Sequence, residues 1–242
     1  MTKNIMITGA SKGLGRALAL GFAAKGNRLA ICARGKEELE QTKDAIINVG
    51  AEAIAVQADA ANKQDVERFV SIVEKKWGNI DVLINNASVF GPGPEYLIDY
   101  DADSFQEVVR VNVMNPFLVT KRVLPGMMTR KQGSVINITS EAGHTGFAEW
   151  GAYGISKFAV EGMTQTWAEE LKPYHIRMNM VDPGEMDTAM HRRAVPDCDY
   201  PLAHPEERLD IFFYLTSEAS KYLTGERFEA AAFAAEEGVS NE

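Results

Sequence analysis

At 242 residues, with 45% hydrophobic and 24% charged side chains, the chain has the composition of a globular protein and can bury a sizeable core. A formal net charge of -9 argues against a nucleic-acid or anionic-membrane surface, which needs clustered basic charge. Two cysteines, Cys32 and Cys198, are too few for a disulfide framework or a thiolate metal site, and no apolar run approaches the roughly 18 residues of a membrane span. The first apolar stretch runs straight into glycines, unlike a signal peptide, so the expectation is a cytoplasmic protein.

Short apolar runs at residues 5–8, 29–33, 53–58, 82–84, 135–139 and 176–181 alternate with helical stretches at 14–25, 37–49, 63–77, 103–130 and 153–172. The runs are continuous rather than alternating, as expected of strands covered on both faces. Strand–helix alternation implies right-handed crossovers, hence a doubly wound α/β fold with a parallel sheet. One domain is expected over 1–242, with an acidic, alanine-rich tail from about 234. Ligands of such sheets sit beyond the carboxyl ends of the strands.

The first strand ends in Thr8-Gly9-Ala10-Ser11-Lys12-Gly13-Leu14-Gly15, followed by a helix. A helix start carries free N–H groups and a positive dipole end, which suit a pyrophosphate, while glycines keep the backbone approachable. The second strand ends at Arg34, with no carboxylate until Glu37, and Lys12 adds a second cation. A ribose 2′-hydroxyl usually meets an acid at this point and a 2′-phosphate an arginine, so NADP(H) is favoured over NAD(H).

The helix after residue 150 opens Tyr153-Gly154-Ile155-Ser156-Lys157, and Tyr153 and Lys157 share a side with Val160, Trp167 and Leu171. An ammonium in line with an apolar stripe needs a polar cavity, although a lysine in a first turn can also snorkel to solvent. A phenol beside an amine is a proton donor and acceptor, and a neighbouring ammonium is expected to depress the phenol's pKa. Ser140, at the end of the fifth run, can place its hydroxyl on the same crevice and steady a substrate oxygen. Asn112 precedes Pro116 by one helical turn, so its carbonyl loses a partner and a kink is expected, with a water held there or with packing alone as its purpose.

These residues together resemble the short-chain dehydrogenase/reductase family, from Lys3 to about Gly225. Thr8, Gly9, Gly13 and Gly15 match T-G-x-x-x-G-x-G, Asn85-Asn86-Ala87-Ser88 matches N-N-A-G except at Ser88, and Pro183-Gly184 with Thr188 matches P-G-x-x-x-T. Asn112, Ser140, Tyr153 and Lys157 match the catalytic tetrad. The resemblance implies a Rossmann-like doubly wound parallel sheet of about seven strands, helices on both faces, and an enzyme that moves a hydride between a nicotinamide and a ketone or secondary alcohol. It implies cofactor contacts at Gly9, Ser11, Lys12, Gly13, Leu14, Gly15, Arg34, Asp59, Ala60, Asn86 and Ala87, and further ones at Tyr153, Lys157, Pro183, Gly184, Met186 and Thr188. Asp59 is the acid expected at the adenine amino group. The usual V-D-G-G end is replaced by Arg227-Phe228-Glu229-Ala230, where a last strand is still expected, and a homodimer or homotetramer is implied through the 103–130 and 153–172 helices.

Specificity is expected from the segments beyond the strand ends, with Phe90, Phe147, Trp150, Met186 and Met190 as apolar walls and Ser140 at the substrate oxygen. His191-Arg192-Arg193 reads either as a solvated face or as an attractor of an acidic substrate. The histidines show no ligand spacing, so no metal is expected. The competing reading is a catalytically silent nucleotide-sensing protein on the same fold.

Overall fold

Among the described residues the six apolar runs, with the segment after Glu226, form seven strands of one parallel sheet: β1 Asn4–Thr8, β2 Arg28–Ala33, β3 Ala53–Gln57, β4 Val82–Asn85, β5 Gly133–Ile138, β6 Ile176–Asp182 and β7 Arg227–Glu229. The structure, a computed structural model, describes residues 2–233. Strand order is β3-β2-β1-β4-β5-β6-β7, so the winding reverses between β1 and β4. That switch point opens a crevice at the carboxyl ends of the two strands. The register places Ile7 between Ile31 and Ile84.

Among the described residues eight α-helices accompany the strands: α1 Gly13–Ala24, α2 Lys36–Asn48, α3 Lys63–Trp77, α4 Ala102–Val109, α5 Asn115–Arg130, α6 Gly151–Leu171, α7 Ala189–Ala194 and α8 Asp210–Thr216. Side chains alternate along each strand, which divides the core into two layers. Ile5, Ile7, Leu29, Ile31, Ile84 and Ile136 pack against α1, α2 and α8. Met6, Ala30, Leu83, Val135 and Met178 pack against α3, α5 and α6. Each large aliphatic side chain fully buried this way contributes about 1.5–3 kcal/mol. This explains why the strands read as unbroken apolar runs.

The expected 103–130 helix is interrupted by a π-helical turn, Arg110–Met114. Pro116 has no N–H to give the preceding turn, and the ladder widens there instead of breaking. Along α6 the buried face runs Tyr153, Lys157, Val160, Thr164, Ala168 and Leu171, while Trp167 sits at its edge and stacks on Phe117 at 5.8 Å. β7 supplies the expected last strand, parallel to β6. The alanine-rich tail from 234 lies outside the described residues.

Candidate active site

The carboxyl ends of the strands surround a cleft of about 1290 Å³. At its β1 end, Gly9 and Gly13 adopt left-handed backbone (φ 67° and 54°) so that the chain can turn from strand into α1. A Cβ on Gly15 would lie 2.3 Å from the Gly9 carbonyl and 2.4 Å from Asn86 Nδ2, and one on Gly9 would lie 2.7 Å from Ala87 Cα. These two glycines therefore serve the closing of the turn against the end of β4. Only Gly13 has its Cβ position toward the cleft, 3.4 Å from Thr188 Cγ2. Asn86 completes the closure: its Nδ2 donates to the carbonyls of Thr8 and Gly9, both at 3.0 Å, and Thr8 Oγ1 accepts from the Asn86 and Ala87 amides.

No side chain caps α1 and no acid occupies its first turn, whereas Asn62 caps α3 and Asp101 caps α4. The free N–H groups of α1, with Ser11, Lys12, Gly13, Leu14 and Gly15, line the cleft and suit an anion such as a diphosphate. Farther along this end lie Arg34, Asp59 and Ala60. Arg34 is mostly exposed and 3.7 Å from Glu107, a surface pair of small energy. The Asp59 carboxylate accepts from Arg110 at 2.9 Å and from the Ala61 amide at 3.0 Å. Glu38 and Asn115 also line the cleft and were not singled out from the sequence, and Ser88, the departure from N-N-A-G, lines it too. Ser88 Oγ and Asn115 Oδ1 are buried without a protein partner.

The other end carries the titratable set. Lys157 is 3% exposed, so its amine does not snorkel; Nζ donates to the Ile138 carbonyl at 2.9 Å and lies 5.3 Å from the centre of the Tyr153 ring. Burial pulls the lysine pKa down from 10.5 to about 8, against the upward pull of Asp182 and Glu161. Burial pushes the Tyr153 phenol up to about 12; the Ser140 hydroxyl acts downward and Asp182 upward. The expected depression of the phenol by an adjacent ammonium is thus not met, because burial outweighs it. Desolvation dominates both groups and favours their neutral forms. Ser140 Oγ also accepts from the Ala142 amide at 3.3 Å, which fixes the hydroxyl at the start of a short 3-10 turn.

Asn112 is brought close to this set but is not on the cleft wall. Its side chain clamps the Val89 amide and carbonyl, each at 2.8 Å, and donates to Ser156 Oγ at 2.9 Å. The π-helical turn aims it there, tying the segment after β4 to α6. Phe90, Trp150 and Tyr153 form an aromatic cluster with centroids 5.1–5.9 Å apart, and Phe147 leans on Trp150 at 5.8 Å. Met190 packs on the same cluster, and Met186, Pro183, Gly184 and Thr188 line the cleft beside it. Thr188 also caps α7. The basic run is engaged: His191 pairs with Glu185 at 3.1 Å, Arg192 pairs with Asp187, and Arg193 donates to the Gly91 carbonyl at 3.3 Å.

A doubly wound fold with an open phosphate-type helix start and a buried phenol–amine pair defines a nucleotide-dependent enzyme class, and comparison with known proteins makes it specific. Residues 3–199 match the short chain dehydrogenase family, and the chain belongs to that family of oxidoreductases, which interconvert alcohols and carbonyls with a nicotinamide cofactor. The 3-oxoacyl-[acyl-carrier-protein] reductase of Synechocystis sp. is 37% identical over 231 residues, covering 92% of this chain and 93% of its own. The crystal structure of NAD+-bound xylitol dehydrogenase superposes with a TM-score of 0.88 at 30% identity, covering 94% of this chain and 96% of that one. A short chain dehydrogenase from Shigella flexneri, complexed with NADP, gives a TM-score of 0.88 at 28% identity over 95% of this chain and 97% of its own.

Proposed function

We propose that the protein is an NADP(H)-dependent oxidoreductase acting on a ketone or secondary alcohol, with Tyr153 as general acid and base. One observation carries this reading: the buried Lys157 amine, the Tyr153 phenol and the Ser140 hydroxyl line one end of a cleft whose other end is an uncapped helix start. A nucleotide sensor would have no use for a desolvated amine, which destabilises the fold.

When bound, the cofactor supplies the hydride. Ser11, Lys12 and Gly13 would hold its phosphates, Asp59 its adenine, and Arg34 with Lys12 the 2′-phosphate that favours NADP(H). Ser140 Oγ orients the substrate oxygen and stabilises charge developing on it. Tyr153 gives its phenolic proton to that oxygen during reduction and takes it back during oxidation. Lys157, when protonated, favours the phenolate by its charge. Asn112 holds the 88–90 segment against α6 through Val89 and Ser156, so its role is positional.

The aromatic cluster of Phe90, Trp150 and Phe147, with Met186 and Met190, favours substrates with an apolar substituent next to the carbonyl. A homodimer or homotetramer would form through α5 and α6, where Ile155 and Phe158 are 44% and 48% exposed. Both cysteines are free thiols, in keeping with a cytoplasmic setting. The test is a panel of aliphatic and aryl ketones and aldehydes with NADPH, followed by loss of reduced-cofactor absorbance. Turnover that favours the apolar ketones and NADPH supports the reading. Tight NADPH binding with no turnover on any carbonyl would favour the sensor.

A further inference from the structure

Behind the cleft, a second charged cluster joins three of the elements that carry the site. Arg227, on β7, is largely buried, with a side chain 17% exposed. Its Nη2 donates to Asp182 Oδ2 at 2.8 Å and to the Ser140 carbonyl at 3.3 Å, and its Nε donates to Glu161 Oε1 at 3.2 Å. Its remaining Nη1 meets the exposed Glu229 at 2.9 Å. Each acid reaches onward. Glu161, one helical turn beyond Lys157, accepts from Thr139 Oγ1 at 2.7 Å, next to Ser140 in the chain. Asp182 lines the cleft, and its Oδ1 accepts from the Gly184 amide at 2.9 Å, which fixes the Pro183–Gly184 turn.

We propose that Arg227 is a positioning residue for the Ser140–Tyr153–Lys157 site, tying the Ser140 carbonyl, Asp182 and Glu161 into one buried ion cluster that sets the charge beside Lys157. The inference rests on the catalytic reading above. A three-residue strand such as β7 is held by few ladder bonds, and a buried ion cluster is costly unless every charge is paired. Charge balance then assigns the cluster its effect. Two buried carboxylates against one guanidinium leave one formal negative charge, opposite the single positive charge of Lys157. Both acids pull the lysine toward its protonated form, and Arg227 limits that pull. Other charged or titratable groups that line this part of the cleft are Glu229 on β7, Glu141 and His144 before α6, and Glu185, Asp187, His191 and Arg192 after β6. All of these are unchanged in the variants below.

The experiment follows the Lys157 side chain by NMR in full-length protein labelled with carbon-13 lysine, its resonance assigned by its absence in Lys157→Arg. The titration needs neither substrate nor cofactor. Arg227→Gln is expected to raise the Lys157 midpoint by about half a pH unit or more, and Asp182→Asn and Glu161→Gln to lower it by a similar amount. Arg227→Lys keeps the charge, so its midpoint stays near that of the wild type, while kcat on any ketone that turns over falls more than KM changes, because the guanidinium fork on Ser140 and Asp182 is lost. Midpoints that move in the same direction in Arg227→Gln and Asp182→Asn, or in neither, would overturn the proposal. Should Arg227→Gln fail to fold, the two acid variants decide, and an unmoved midpoint in both overturns it. Failure of the catalytic reading is distinguishable, because it shows as unchanged turnover in Tyr153→Phe whatever Lys157 does.

Discussion

Replacing Lys157 with methionine, a side chain of similar length without charge, should make the protein more stable at pH 7 while destroying its activity. The fall of the lysine pKa from 10.5 to about 8 is the net of burial, which disfavours the ammonium, and the smaller opposing pull of Asp182 and Glu161. At about 1.4 kcal/mol for each tenfold change in proton affinity, that amounts to about 3 kcal/mol of destabilisation. Against it stands the Ile138 carbonyl, which loses its 2.9 Å donor, a loss of about 1–2 kcal/mol. The net expectation at pH 7 is a gain of about 1–2 kcal/mol, or roughly 2–8 °C in Tm for a chain of this size. The sign with pH follows from proton uptake. Between pH 8 and 10.5 the unfolded lysine binds a proton that the folded one has released, so wild-type stability rises with pH in this window relative to Lys157→Met. Urea melts from pH 6 to 10.5 would show the gap at its largest at the acid end and narrowing at the basic end. A methionine variant less stable than wild type at pH 7, or a gap that does not change with pH, would refute the burial of a strained amine.

Three further outcomes follow from the cleft's geometry. Arg34→Asp should turn the cofactor preference from NADP(H) toward NAD(H) by about 100-fold or more in kcat/KM, since a charge-assisted contact is replaced by repulsion; Glu107 is too exposed to mask the change. Gly15→Ala should destabilise even the cofactor-free protein by about 1–3 kcal/mol, because its Cβ meets the Gly9 carbonyl, whereas Gly13→Ala should cost about 1–2 kcal/mol through its left-handed backbone and in addition weaken cofactor binding, as read by calorimetry. Trp150→Ala should lower kcat/KM about tenfold for apolar ketones, with a much smaller effect on cofactor affinity, because Trp150 contacts Phe90, Phe147 and Tyr153.

The sheet was legible because its strands are covered on both faces, so that runs such as residues 29–33 carry hardly a polar atom between turn signals. Lys157 was legible for the opposite reason, an ammonium on a face otherwise apolar. Near Pro116 the sequence announced a disturbance but not its form; the missing N–H dictates that the ladder change, and only packing decides between a kink and the π-helical turn that aims Asn112 at Val89. Gly9 and Gly15 line the cleft as expected, and what the sequence did not show is the crowding by Ala87 and Asn86, far along the chain, that also demands glycine there. Arg227 stayed hidden because its partners Glu161 and Asp182 lie on other elements, and no local pattern pairs residues so distant. The phenol's high pKa was missed because the sequence does not show how completely Tyr153 is buried, and desolvation of the phenol outweighs its neighbours.

Under the proposed function, Tyr153 delivers the proton during carbonyl reduction. Single-turnover reduction of an apolar ketone by enzyme preloaded with NADPH should slow about 100- to 10,000-fold in Tyr153→Phe, with NADPH affinity held within about twofold of wild type. Equal single-turnover rates in the two proteins would contradict it.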